Sequence, residues 1–296
     1  MAECPHRSVM PQEVLEQMAP RSGAVLVDGT VGMGGHAEAL LQACAPDGFL
    51  LGIDRDGEAL ALAEKRLAPF GARVRLVRAG FGELAAILQR EGLAAVDGVL
   101  LDLGVSSLQL DAARRGFSFQ ADGPLDMRMD DRLPRTAADL LRELSAEDLA
   151  DILYRFGEER QARRIAAWIV EARKQQALAT TRELAELVAA AIPRRFHPPR
   201  IHVATRVFQA LRIAVNGELA ELARLLADAP AVLAPGGRIC VLTFHSLEDR
   251  MVKQALAGNP AWSVVTKKPL VATIEEVACN PRARSAKLRV AMRKNT

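Results

Sequence analysis

The stretch Gly23-Ala24-Val25-Leu26-Val27-Asp28-Gly29-Thr30-Val31-Gly32-Met33-Gly34-Gly35-His36 decides how this chain folds. Residues 23–28 (GAVLVD) are a short apolar run ending on a carboxylate, which reads as a buried strand. The glycines after it permit a tight turn and let a ligand approach the backbone without Cβ obstruction. Helical spacing begins at once, over residues 37–43. The alternation then repeats. Residues 49–54 (FLLGID), 74–78 and 99–103 read as strands, and residues 57–67 and 81–91 as helices. Short apolar runs alternating with helical patterns predict βαβ units and a parallel sheet.

The alternation stops at about Gln109 and does not resume before Val207. Residues 111–135 are rich in Gly, Asp and Arg and read as a long loop. Residues 137–156, 161–174 and 182–191 show helical spacing; in the second, Ala162, Ile165, Ala166, Ile169 and Val170 share one face. Pro193, Pro198 and Pro199 mark a break. Phe208, Leu211, Val215, Leu219, Leu222 and Leu226, spaced 3-4-4-3-4, predict one long amphipathic helix. Pro235-Gly236-Gly237 reads as a turn, residues 238–244 (RICVLTF) as a fifth strand, and residues 262–266 and 287–292 as two final strands. The expected fold is α/β: a Rossmann-like sheet from residues 1–109 and 208–296, with a helical domain, residues 110–207, inserted after the fourth strand. Ligands of open α/β sheets bind at the carboxyl ends of the strands, so the insertion is expected beside any active site.

Composition narrows the class. The chain has 296 residues, half of them hydrophobic, enough for a sizeable core. Net charge is +3, so a basic partner surface must be local. Cys4, Cys44, Cys240 and Cys279 form no C-x-x-C pair and no zinc-type cluster, so no metal is expected. Glu3, Pro5 and His6 stand where a signal peptide needs an apolar run, and no stretch approaches the roughly 20 apolar residues of a membrane span. A reduced, cytoplasmic setting is expected.

The glycine turn admits two ligands. Asp54 ends the second strand, 22 residues past Gly32, where a carboxylate can accept from both ribose hydroxyls of an adenosine. NAD suits G-x-G-x-x-G, with Ala37 at the tolerant third position. S-adenosylmethionine suits G-x-G with an acidic residue and no diphosphate. Asp28 would repel a diphosphate but could orient a sulfonium or an amino group. A glycine loop with no ligand is the third reading. The fourth strand ends on Asp102, which is either a turn cap or a group facing a methyl acceptor.

At this point a resemblance becomes close. The blocks DGTVGMGGH (28–36), LDLGVSS (101–107), RGFSF (115–119), DGPLDMRMD (122–130), YRFGEER (154–160), ATRVFQALRIAVNGE (204–218), FHSLEDR (244–250) and NPRARSAKL (280–288) resemble the bacterial RsmH (MraW) family. The resemblance runs from about His6 to Arg293. It implies a Rossmann-like SAM-dependent methyltransferase sheet with a helical insert, and methylation of a cytosine N4 in 16S ribosomal RNA within the small ribosomal subunit. It implies S-adenosyl-L-methionine contacts at Gly34, Gly35, His36, Asp54, Phe81, Asp102 and Gln109. Phe81 offers a flat face to a purine, and Gln109 can donate and accept. Val31, Met33, Val203 and Gly217 depart from the family's commoner residues.

Methylation of cytosine at C5 requires a thiolate nucleophile. The Pro-Cys loop that would supply it is absent, and Cys240 falls mid-strand. N4 chemistry needs only an acceptor for an amino proton, so Asp102 is the candidate catalytic residue, with His245 a second. An Asp/Asn-Pro-Pro-aromatic loop, common among amino-methyltransferases, is replaced here by Asp102-Leu103-Gly104-Val105. RNA binding has two local candidates. Arg194, Arg195, Arg200, Arg206 and Arg212 lie together without an acid between them, and so do Arg282, Arg284, Lys287, Arg289, Arg293 and Lys294. Either suits phosphate contacts, and either could be a solvated basic face. A non-catalytic RNA-binding or ribosome-assembly protein and a small-molecule methyltransferase are the rival functions.

Overall fold

The computed structural model describes residues 8–199 and 201–295. Readings that fall on Glu3, Cys4, Pro5, His6 and Arg200 lie outside them. The chain divides into two compact units, one up to Gly104 and again from Leu219, the other Val105–Glu218.

The first unit is built on strands β1 (Val25–Asp28), β2 (Phe49–Asp54), β3 (Val74–Arg78), β4 (Val96–Asp102), β5 (Leu233–Thr243), β6 (Trp262–Val264), β7 (Leu270–Val271) and β8 (Lys287–Arg293). They form one sheet in the order β3-β2-β1-β4-β5-β8-β6, with β7 also on β8. The first five are parallel, and β8 runs antiparallel to β5. Strand order reverses at β1, between β2 and β4, which sets a crevice at the carboxyl ends of β1 and β4. Alternate residues of the central strands face opposite layers. Val27, Leu51, Val99 and Val241 share a core with Leu84, Leu222, Leu225 and Val252. Leu26, Leu50, Leu100 and Cys240 share the other with Val14, Leu40 and Leu67. Both faces of the sheet are therefore covered at its centre, which is why β1, β2 and the second half of β4 read as apolar runs.

The helices of this unit include α1 (Pro11–Met18), α2 (Gly35–Ala43), α3 (Gly57–Leu67) and α4 (Leu84–Arg90). Residues 81–83, expected as helix, form a 3-10 turn ahead of α4. Pro235-Gly236-Gly237, expected as a turn, is a bulge within β5: pairing with β4 jumps from Val96–Leu233 to Gly98–Arg238.

The second unit contains α5 (Ser107–Asp111), α6 (Ala137–Glu143), α7 (Ala146–Gly157), α8 (Ala162–Ala172), α9 (Thr181–Ala191) and α10 (Thr205–Asn216). Its core gathers Leu141, Leu149, Leu153, Ile165, Ile169, Leu184, Val188, Val207 and Leu211. Residues 137–156, expected as one helix, are two, because Ser145 caps a new one by accepting from Asp148 N–H. The glycine- and aspartate-rich loop is tied internally. Arg115 donates to the Arg128 and Met129 carbonyls, and Asn216 clasps Met129 N–H and Met127 C=O.

The long amphipathic helix is also two elements, α10 and α11 (Glu218–Val232). Gly217 ends α10 in the left-handed region, φ 61°, donating its N–H to Ile213 C=O. Α10 packs against α7 and α6, while Leu222, Leu225 and Leu226 of α11 join the sheet's core. The division at residues 110 and 207 is thereby corrected to 105 and 218: α10 belongs with the insert. The unit from Leu219 continues through α11, then α12 (Ser246–Gly258) and α13 (Ile274–Cys279).

Candidate active site

The site is built at the carboxyl ends of β1, β2 and β4. Asp28 ends β1 and is almost fully buried. Two residues on, Thr30 closes the turn twice. Its N–H donates to Asp28 Oδ1 at 3.2 Å, and its Oγ1 accepts from Asp102 N–H at 2.6 Å. Gly32 and Gly34 have φ of 53° and 83°, a conformation L side chains rarely adopt. Gly34 caps α2, and Gly35 and His36 open it. A Cβ at Gly35 would strike Ser8 Oγ, so Ser8 lies against the start of α2.

Asp54 ends β2. Its two oxygens accept from Gly32 N–H at 2.8 Å and Asp56 N–H at 2.9 Å, which fixes the carboxylate beside the turn. The 3-10 turn carrying Phe81 follows β3, and a Cβ at Gly29 would lie 3.3 Å from Phe81 Cβ. Asp102 ends β4, with Oδ2 3.6 Å from His36 Nε2. The structure thus brings Gly34, Gly35, His36, Asp54, Phe81 and Asp102 to one edge of the sheet. Gln109 lies in the second unit. There its Oε1 accepts from Ser106 N–H at 3.1 Å, and its own N–H donates to Ser106 Oγ, a capping box for α5. His245, the second proton-acceptor candidate, is the N-cap of α12, boxed with Glu248.

Electrostatics follow from this crowding. Burial pushes the Asp28 carboxyl up to about 7; Asp102 and Asp54 add to the rise, and His36 and the Thr30 N–H offset part of it. Burial opposes protonation of His36, but the Asp102 carboxylate, with Asp28 and Glu276 behind it, outweighs burial and holds its pKa above the usual histidine value. Burial raises Asp54 as well, offset in part by its two backbone donors. Glu276 of α13 also accepts from Met10 N–H, at 2.6 Å.

A stability prediction arises directly. Asp28 takes up a proton more readily folded than unfolded, so its contribution is full below about pH 4 and is lost as pH rises toward 7. Asp28→Asn removes that loss. In ligand-free urea melts the variant is expected to gain on the native protein between pH 4 and 8, by at most roughly 4 kcal/mol at 1.36 kcal/mol per unit. A constant difference across that range would contradict the assignment.

Sequence reasoning missed three participants. Thr30 lies inside the quoted motif but announces nothing by type. Ser8 and Glu276 come from opposite ends of the chain. The basic patches are also thinner than the sequence suggests. Arg212 is paired with Glu218 at 2.8 Å, Lys287 and Arg289 with Asp249 at 3.1 and 2.7 Å, and Arg293 donates to Leu233 C=O. Arg194, Arg195, Arg282, Arg284 and Lys294 are exposed, with Arg195 4.8 Å from the Phe196 ring centre. Among the described residues no group of three or more His, Cys, Asp or Glu could hold a metal ion, and no helix is long and apolar enough to cross a membrane.

A parallel sheet with its strand order reversing at β1, a glycine turn opening α2 and carboxylates at three successive strand ends define a nucleoside-cofactor-type α/β fold. The chain belongs to the MraW methylase family, whose sequence model matches residues 3–294. It is 51% identical over 290 residues to a Desulfotalea psychrophila protein, covering 98% of each chain. It is 52% identical to one from Trichlorobacter lovleyi, covering 98% of this chain and 99% of that one. With a Syntrophotalea carbinolica protein it shares 54% identity over 97% of this chain and 98% of the other. All three relatives are named ribosomal RNA small subunit methyltransferase H.

Proposed function

We propose that this methylase transfers the methyl group of S-adenosyl-L-methionine to the exocyclic N4 of a cytidine in the decoding region of 16S ribosomal RNA, within the small subunit and in the cytoplasm. One observation carries the cofactor. Asp102 Oδ1 is buried without a hydrogen-bond partner, and His36 Nε2, also buried, has only Asp102 Oδ2 at 3.6 Å, longer than a hydrogen bond. Buried polar atoms left unpaired are costly. One is a ring nitrogen whose protonation is favoured, and the other a carboxylate oxygen. An amino-acid end, with its own carboxylate and ammonium, answers both; a dinucleotide's diphosphate would meet the Asp102 carboxylate as a like charge. Asp54 holds the ribose, Phe81 lies against the adenine, and the backbone of Gly34 and Gly35 faces the cofactor without Cβ obstruction. Gln109 is the remaining cofactor residue carried by the family resemblance.

The cofactor supplies an electrophilic methyl group on a sulfonium. The chain's part is to orient the acceptor and take a proton from its nitrogen, a role the proposal assigns to Asp102. Cys240 supports N4 over C5 chemistry. It sits buried mid-β5, and burial pushes its thiol up to about 12, so it offers no thiolate. The target base has to leave its stack to reach strand-end groups. Of the basic residues, Arg282 and Arg284, both exposed, suit phosphate contacts.

The test uses small subunits lacking the modification and labelled S-adenosylmethionine. Label is expected at a single cytidine of 16S rRNA. No transfer would end the proposal. The double charge reversal Arg282→Glu/Arg284→Glu is expected to weaken subunit methylation by roughly tenfold or more at moderate salt, with cofactor affinity unchanged. Undiminished methylation would move RNA contact away from this segment.

A further inference from the structure

We infer that Glu221 is a positioning residue for the adenosine end of the cofactor site: its carboxylate ties the turn that carries Phe81 to Arg55, the residue beside Asp54. The inference rests on the reading of Asp54 and Phe81 given above.

Glu221 lies in the first half of α11 and is 4% exposed. A carboxylate at a core-facing helical position is expensive unless paired and hydrogen-bonded. Its partners are specific. Arg55 Nη2 forms an ion pair with it, with side-chain exposures of 14% and 5%. Gly82 N–H donates to Glu221 Oε1 at 3.3 Å. The turn is shaped to receive this group. A Cβ at Gly80 would collide with Glu221 Oε1, and one at Gly82 would lie 2.6 Å from Glu221 Cγ. Glycine on both sides of Phe81 therefore makes room for the carboxylate, which fills the space and holds the turn.

The same carboxylate reaches the ribose side through the chain. Arg55 follows Asp54 directly, and Asp54 C=O accepts from Ala79 N–H at 3.0 Å, just ahead of the turn. Arg55 C=O accepts from Arg78 Nε at 3.2 Å. The ends of β2 and β3 are thus already joined by backbone and by the Arg78 side chain, and Glu221 adds the third side from α11. Glu221 holds Arg55 and Gly82 rather than the ligand-facing side chains themselves, so its effect passes through the groups it holds. Misplacing a platform by an ångström can cost orders of magnitude. The loss should fall on cofactor affinity, because the methionine-side groups Asp28, His36 and Asp102 stand on other strand ends.

The experiment is calorimetric titration of S-adenosylmethionine into the full-length native protein, Glu221→Gln, Arg55→Gln and the double variant, with methyl-transfer kinetics beside it. Glu221→Gln keeps an acceptor for Gly82 N–H but drops the charge. The expected result is a Kd and KM for the cofactor raised roughly tenfold or more in each single variant, with kcat at saturating cofactor within about twofold. The double variant should be no worse than the poorer single one, the non-additivity of a coupled pair. A merely structural role would lower the urea midpoint and leave Kd alone; folded single variants with native Kd overturn the inference. Should Glu221→Gln not fold, Arg55→Gln and the double variant, which buries no orphan charge, decide by the same Kd. Native protein that fails to bind S-adenosylmethionine overturns the cofactor reading itself, and this inference with it.

Discussion

Asp54→Ala is expected to raise the Kd for S-adenosylmethionine by about 100-fold or more. The carboxylate is proposed to accept from the ribose hydroxyls, and hydrogen bonds to a charged group contribute about 1.5–3 kcal/mol each. Two of them correspond to roughly 10²–10⁴ in affinity at 1.4 kcal/mol per decade. The variant also releases Gly32 N–H and Asp56 N–H, which Asp54 now holds at 2.8 and 2.9 Å. The glycine turn therefore loosens as the ribose contact goes. Asp54→Asn separates the two effects, since its amide oxygen can still accept from one backbone donor; an intermediate Kd is expected. Calorimetry supplies the affinities, and filter binding to small-subunit RNA supplies the control, which should be unchanged. An Asp54→Ala protein that keeps its affinity would remove Asp54 from the site. One that loses S-adenosylmethionine yet still performs its role in cells would favour a non-catalytic, RNA-binding function.

The sheet was legible because both its faces are covered. Buried strands have no polar face to display, so β2, at residues 49–54, and the second half of β4 stand out as apolar runs with turn residues at their ends. The acidic strand ends were legible for the same reason: Asp28, Asp54 and Asp102 interrupt apolar runs where a carboxylate has no packing role. What failed was periodicity across a break. The 3-4 spacing from Phe208 to Leu226 passes through Gly217 without losing phase, yet the left-handed residue there divides two helices with different cores. A glycine followed by a good helix former was the available signal. Elements too short to show a period, such as β7 and α13, could not be read at all.

The site was legible as far as local sequence carries it. The turn and the three carboxylates are each set by a strand end and its next few residues. Glu221 and Glu276 are not, because each reaches the site from an element far along the chain. Glu221 did leave a trace: it precedes Leu225 by four residues, so it occupies the apolar face of α11, where an unpaired acid does not belong. The overcounting of basic residues has a related cause. Arg212 and Arg289 look free in sequence because their partners, Glu218 and Asp249, lie past a helix end or on another element.

Asp102→Asn is expected to lower kcat by about 10²–10⁴ at saturating cofactor, the range for loss of a positioned general base. The geometry gives this side chain two possible partners. Oδ2 lies 3.6 Å from His36 Nε2, and Oδ1 is buried and unpaired. Its backbone is fixed by the 2.6 Å hydrogen bond to Thr30 Oγ1, so the carboxylate keeps its place whichever partner it serves. If Oδ1 serves only the amino group of the cofactor, Asn substitution weakens binding, and kcat at saturation recovers. If it takes the proton from N4, binding changes little and kcat stays low however much cofactor is added. The amide keeps the shape and one acceptor but cannot take up a proton, so it separates the two roles more cleanly than alanine, which would also leave His36 with no polar group facing it. Single-turnover methyl transfer with preformed enzyme–cofactor complex measures the step after binding, and calorimetry measures the binding. A kcat within about threefold of the native value would assign Asp102 to the cofactor alone.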